Sequence, residues 1–223
     1  MEIVRLVRAV EELIFEVGFW LLSYPKSLLK VIVHPGWVLR YVTNELVKDE
    51  RERFDEYMSP ALFYALSVVI VIVPRFEAIS RLYESAVSSP LYSLLSGSPE
   101  KLVATAAMIL AVCPLAFAWV AGASSKLAIS RSSLRAPLLS QFFIAGPFIL
   151  VVSLSLDSDH SQLARLISLV ALIWFCVAEW LFFRHLLSVG EMKAGLLVFA
   201  GFGAWYIVNL AWAILLGLSF LLA

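Results

Sequence analysis

One carboxylic acid in this chain stands where an ionised group is hard to keep. Glu179 lies within the apolar run Leu166 to His185 (LISLVALIWFCVAEWLFFRH), which is long enough to cross a bilayer. An acid inside such a run is costly unless it faces a bundle interior or a wet cavity and has a partner. Two kinds of role are open to it. It can carry protons or cations, or contact a ligand. Or it can be a structural group, held as the neutral acid, hydrogen-bonded to a neighbour, or reaching water beside Arg184.

Depth along each run selects candidate partners. At about 1.5 Å per residue, Glu179 lies roughly 6 Å in from Phe183, where its run ends. Gln141, counted from Ala136 in the preceding run, falls at nearly the same level. Tyr64 and Trp119 in the two earlier runs come out close to it. The expected intramembrane polar layer is therefore Glu179, Gln141, Tyr64 and Trp119. Asn209 lies some 20 Å along the last run by the same rise and is set apart from Glu179.

The elements that must position this layer are helices. Of 223 residues, 61% are hydrophobic and 15% charged, with mean hydropathy +0.90. Soluble domains are about a quarter charged. Long uncharged runs predict five spans, at about 58–74, 102–123, 136–156, 165–184 and 195–221. Pro114 and Pro147 are expected to kink the second and third. The expected class is all-α, a polytopic integral membrane protein with a 1–57 region of amphipathic interfacial helices and a 58–223 transmembrane domain.

In the N-terminal region, Ile3, Leu6, Val7, Val10, Leu13, Ile14, Val17 and Leu21 recur at helical spacing, with Arg5, Arg8, Glu12 and Glu16 mostly off that stripe. This predicts an amphipathic helix lying along the membrane surface or packed on its own bundle. The charges inside it argue against a cleaved signal peptide. Pro25 and Pro35 are expected to bracket a second, short helix. A third is expected to run from Gly36 into KDERERFDEY, with Asp49–Arg53 and Arg51–Asp55 at ion-pair spacing.

Lysine and arginine set the orientation. Thirteen of the 17 fall in residues 1–58 and in the second and fourth connections between spans; four fall on the other side. This places the N-terminus in the cytoplasm and the C-terminus opposite, in a membrane of the bacterial inner-membrane kind. Lys126, Arg131, Arg135, Arg184 and His185 gather on the cytoplasmic side, as candidate contacts for anionic lipid or a partner.

Other chemistry has little to stand on. Cys113 and Cys176 sit in apolar runs and read as packing residues. His34, His160 and His185 lie in different segments, so no metal or haem cluster is expected. No phosphate-binding loop, nucleophile elbow, zinc-protease motif or potassium filter occurs. The sequence implies no catalytic residue and no cofactor. Zero formal net charge gives no attraction to nucleic acid.

The stretch FWLLSYPKSLLKVIVHPGW, then a charged helix, then YMSPALFYALSVVIV at the first span, resembles the Yip (Ypt-interacting protein) family and its bacterial relatives. The resemblance covers the order of parts along the whole chain. It implies a non-catalytic membrane protein that acts by self-association or by binding membrane-protein partners and lipids. A small oligomeric ion or proton channel or transporter, with Glu179 near its cytoplasmic mouth, is the alternative function. A lipid-handling enzyme is a third.

Overall fold

The computed structural model describes residues 2–77, 98–125, 128–156 and 162–221, and the regular structure among them is all helical, with no strand. The helices are α1 (Glu2–Val33), α2 (Val38–Val47), α3 (Pro60–Ile72), α4 (Pro99–Ser124), α5 (Arg131–Leu156), α6 (Gln162–Leu187) and α7 (Glu191–Leu221). Among the described residues, the four from α4 to α7 are long and apolar enough to cross a membrane. α3 is shorter. With the tight 3₁₀ turn Val73–Arg75 it spans Pro60–Arg75, about 24 Å at helical rise.

α5 is the centre of the bundle. It packs against α1, α2, α3, α4 and α6, and 61% of its apolar window is buried, against 11% for α7. Gly146 lets α3 come close, because a Cβ there would lie 2.6 Å from the Phe63 ring. Gly201 does the same for α7 on α4, where a Cβ would lie 2.4 Å from the Phe117 ring. Phe117 meets Phe175 of α6 edge-on at 5.3 Å and Phe202 of α7 at 5.3 Å, so one aromatic cluster ties three helices. α4 continues through Pro114, and α5 through Pro137 and Pro147.

The α4–α5 and α6–α7 connections lie at one end, here called the basal end. The second half of α1 packs along α3, α5 and α6 toward mid-bundle. Tyr24 meets Ser67 of α3 at 2.9 Å, Ser27 Oγ accepts from the Met58 backbone N–H at 3.1 Å, and Trp174 of α6 donates its indole N–H to the Ile32 carbonyl at 2.9 Å. Among the described side chains nearer its start, Ile14, Phe15, Leu21 and Leu22 are exposed, as are Arg5, Arg8, Glu11, Glu12 and Glu16.

Two expectations for the N-terminal region are corrected. Pro25 does not divide it into two helices; α1 runs unbroken to Val33, because Pro25 faces outward and the Leu21 carbonyl it leaves unpaired is on an exposed stretch. Nor does a helix run from Gly36 into KDERERFDEY. A 3₁₀ turn occupies Pro35–Trp37, α2 stops at Val47, and Phe54 takes φ 63°, which no right-handed helix allows. The expected Asp49–Arg53 pair gives way to Arg53 donating to the Lys48 and Leu46 carbonyls at 3.0 and 3.2 Å and pairing with Glu50 at 3.4 Å. The Arg51 side chain, the 78–97 segment and the LDSDH loop after Ser155 lie largely or wholly outside the described residues.

Candidate functional site: a sealed acid–amide pair

Helical periodicity brings Glu179 to the buried face of α6. Phe175 and Phe183, one turn before and one turn after it, share that face and are both fully buried. Across from them is Phe117 of α4, 5.3 Å from Phe175 and 6.4 Å from Phe183. α5 supplies Gln141, which is held between buried Ser140 and Phe143. Gln141 Nε2 donates to Glu179 Oε2 at 2.8 Å, and both residues have 0% exposure. The carboxyl therefore lies in a closed, mostly aromatic core rather than facing lipid or a wet cavity.

The other two members of the expected layer point elsewhere, which corrects that expectation. Tyr64 is buried, but its hydroxyl donates to the Leu110 carbonyl of α4 at 2.7 Å, and its ring stacks on Phe142 at 5.1 Å. Phe142 follows Gln141 by one residue and so faces another side of α5. Trp119 is 56% exposed and lines an outer groove of ≈ 640 Å³ between α4 and α7, with Ala200, Gly203 and Ile207. Their contacts differ in direction around the helices from the Glu179–Gln141 pair. Asn209 donates within its own helix, to the Trp205 carbonyl at 2.8 Å.

Cys113 of α4, which is buried, and Cys176 of α6, which lines the outer α6–α7 groove, lie within the electrostatic reach of Glu179. Among the described residues they are the titratable neighbours of the acid, and neither brings positive charge. Among the described residues no group of three histidine, cysteine or acidic side chains is placed to hold a metal ion.

The basic residues spread across the basal end instead of forming one pocket. Arg131 and Arg135 are exposed on the first turns of α5. Arg184 is spoken for: it pairs with Glu191 at 3.6 Å and lies 5.1 Å over the Trp180 ring. His185 Nδ1 bonds the Leu181 carbonyl at 2.8 Å. Lys126 lies outside the described residues.

A second buried acid escaped the sequence reading. Glu45 of α2 is 3% exposed. It accepts from Lys48 Nζ at 2.6 Å and from the Phe54 backbone N–H at 2.7 Å, closing the turn after α2. The signal was present: Val38, Tyr41, Val42 and Glu45 form one helical stripe, so Glu45 shares the buried face. Its charged surroundings in the sequence hid it. Burial, and then the charge of Glu45, hold the Tyr41 phenol above the ordinary tyrosine range.

Compared with protein-family models, with curated proteins and with solved structures, the chain shows no match. The functional reading therefore rests on the geometry.

Proposed function

We propose that this is a non-catalytic multi-pass membrane protein that acts through its surface, by self-association or by binding another membrane protein, and not by moving ions. One observation carries the reading. The polar pair of the membrane core, Glu179 and Gln141, is fully buried, while the outward faces are apolar. The grooves between α3 and α4, between α4 and α7 and between α6 and α7 are lined by residues such as Val68, Ala107, Ile207 and Val198, and neither Glu179 nor Gln141 borders them. Such faces suit acyl chains and neighbouring helices, whereas an ion needs polar groups along its route.

In this reading α3 is a fifth, short span and α1 is an interfacial helix. The exposed apolar stripe of Val10, Ile14 and Leu21 meets the acyl boundary, and Arg8, Glu12 and Glu16 face water or a partner. Lys26 and Lys30 lie 4.5 and 5.5 Å over the Tyr57 and Trp37 rings and anchor the crossing segment. The excess of basic residues at this end makes it cytoplasmic, with the C-terminus opposite, as in a bacterial inner membrane. The order of parts that resembles the Yip family agrees with this arrangement.

The test is association in a bilayer. Copies carrying donor and acceptor dyes are reconstituted together at increasing protein density. Self-association predicts energy transfer above the random-mixing level, reduced several-fold by Ile14→Glu with Leu21→Glu, at unchanged melting temperature. Transfer at the random level throughout, with no defined partner bound by the same face, contradicts the reading.

A further inference from the structure

The Glu179–Gln141 contact leaves two oxygens over. Gln141 Nε2 donates to Glu179 Oε2 at 2.8 Å, while Gln141 Oε1 and Glu179 Oε1 are buried and have no hydrogen-bond partner. Both are acceptors. A buried polar atom without a partner costs about 1–3 kcal/mol, so a site with two of them calls for a donor. Among the described residues no side chain supplies it: there Glu179 takes its hydrogen bond from Gln141 alone.

Three occupants can be weighed. A water molecule can donate to both oxygens, but it leaves the charge of a carboxylate unbalanced. Among the described residues no lysine, arginine or histidine acts on that charge; Cys113 and Cys176 are its titratable neighbours there, and both are neutral or anionic. Burying an uncompensated carboxylate between Phe175, Phe183 and Phe117 costs several kcal/mol even after relaxation. A metal cation would balance the charge but, among the described residues, finds two oxygens and no cluster of ligands. A proton meets both needs. It removes the charge and turns one acceptor into the missing donor.

We propose that Glu179 binds a proton on Oε1 and donates it to Gln141 Oε1, closing a cyclic acid–amide pair that joins α5 to α6. The proton is taken from water as the helices assemble, converting carboxylate to carboxylic acid, and no other bond changes. The edges of an acid and a primary amide are complementary, one donor and one acceptor on each, and the terminal torsions of both side chains are soft enough to bring the second bond into line. The seam then has no unpaired oxygen. Losing the proton would leave two facing acceptors and a bare charge, so α5 and α6 stay closed only while it is held.

Infrared spectroscopy of the full-length protein in lipid vesicles near neutral pH reads this directly, since surface acids are ionised there. The wild type is expected to show the carbonyl band of a protonated, hydrogen-bonded carboxyl that is lost in Glu179→Gln. Gln141→Leu is expected to move that band to higher frequency. On transfer to heavy water the wild-type band is expected to shift more slowly than exposed groups exchange. Identical spectra for wild type and Glu179→Gln overturn the proposal. So does an immediate heavy-water shift, and a band that does not move in folded Gln141→Leu rules out the cyclic pair. The Glu179→Gln comparison remains decisive if Gln141→Leu does not fold, because its substituted side chain keeps the shape and one complementary bond edge.

Discussion

Glu45 and Glu179 are the two buried acids among the described residues, and they are satisfied in opposite ways. Glu45 sits at the basal end with both oxygens occupied, one by the Lys48 ammonium at 2.6 Å and one by the Phe54 N–H at 2.7 Å. Its role is to close a turn, and a carboxylate is the form that accepts both. Glu179 sits in the core with one oxygen on a neutral amide and the other on nothing. Burial alone therefore does not tell what an acid does. The donor count around it does: two donors, one of them cationic, make a charged structural clasp, and a single amide makes a neutral one.

The largest effect is expected where the core acid loses its only partner. Gln141→Leu leaves Glu179 enclosed with no hydrogen bond, and should destabilise the bundle by about 3 kcal/mol, read by unfolding in mixed micelles. Little change there would mean that the core acid finds another donor and that the contrast with Glu45 is overstated. Next comes Glu45→Gln, which keeps the shape but removes the charge that Lys48 and the Phe54 N–H share. A loss of about 1–2 kcal/mol is expected, the difference between charge-assisted and neutral hydrogen bonds. The smallest effect is expected for the identical swap in the core. Glu179→Gln should cost under about 1 kcal/mol, because an amide pair can replace an acid–amide pair. The two Glu→Gln variants side by side are the sharpest comparison: equal losses would erase the distinction drawn between the sites.

Much of the fold was legible from the sequence because long uncharged runs have one solution in a bilayer. The four long helices follow those runs, extended by a few residues at their polar ends, as with Arg131 to Ala136 at the start of α5. Depth was legible too, since rise per residue is fixed: Gln141 and Glu179 were placed at one level by counting, and a 2.8 Å hydrogen bond joins them. Direction around the helix was not legible. Tyr64 turns to the Leu110 carbonyl and Trp119 to an outer groove, because azimuth depends on which neighbours a helix packs against. Around Pro25 and Phe54 the failure has another cause. An outward-facing proline does not break a helix whose freed carbonyl is exposed, and a turn closed by the distant Glu45 overrides the helical propensity of KDERERFDEY.

A surface-acting membrane protein with a closed core should not conduct. Ion and proton flux across vesicles containing the reconstituted wild type, with empty vesicles and Glu179→Gln as controls, tests it most directly. Flux at the empty-vesicle level is expected for both proteins. Flux well above that level in the wild type, lost in Glu179→Gln, would contradict it and make Glu179 part of a conducting path.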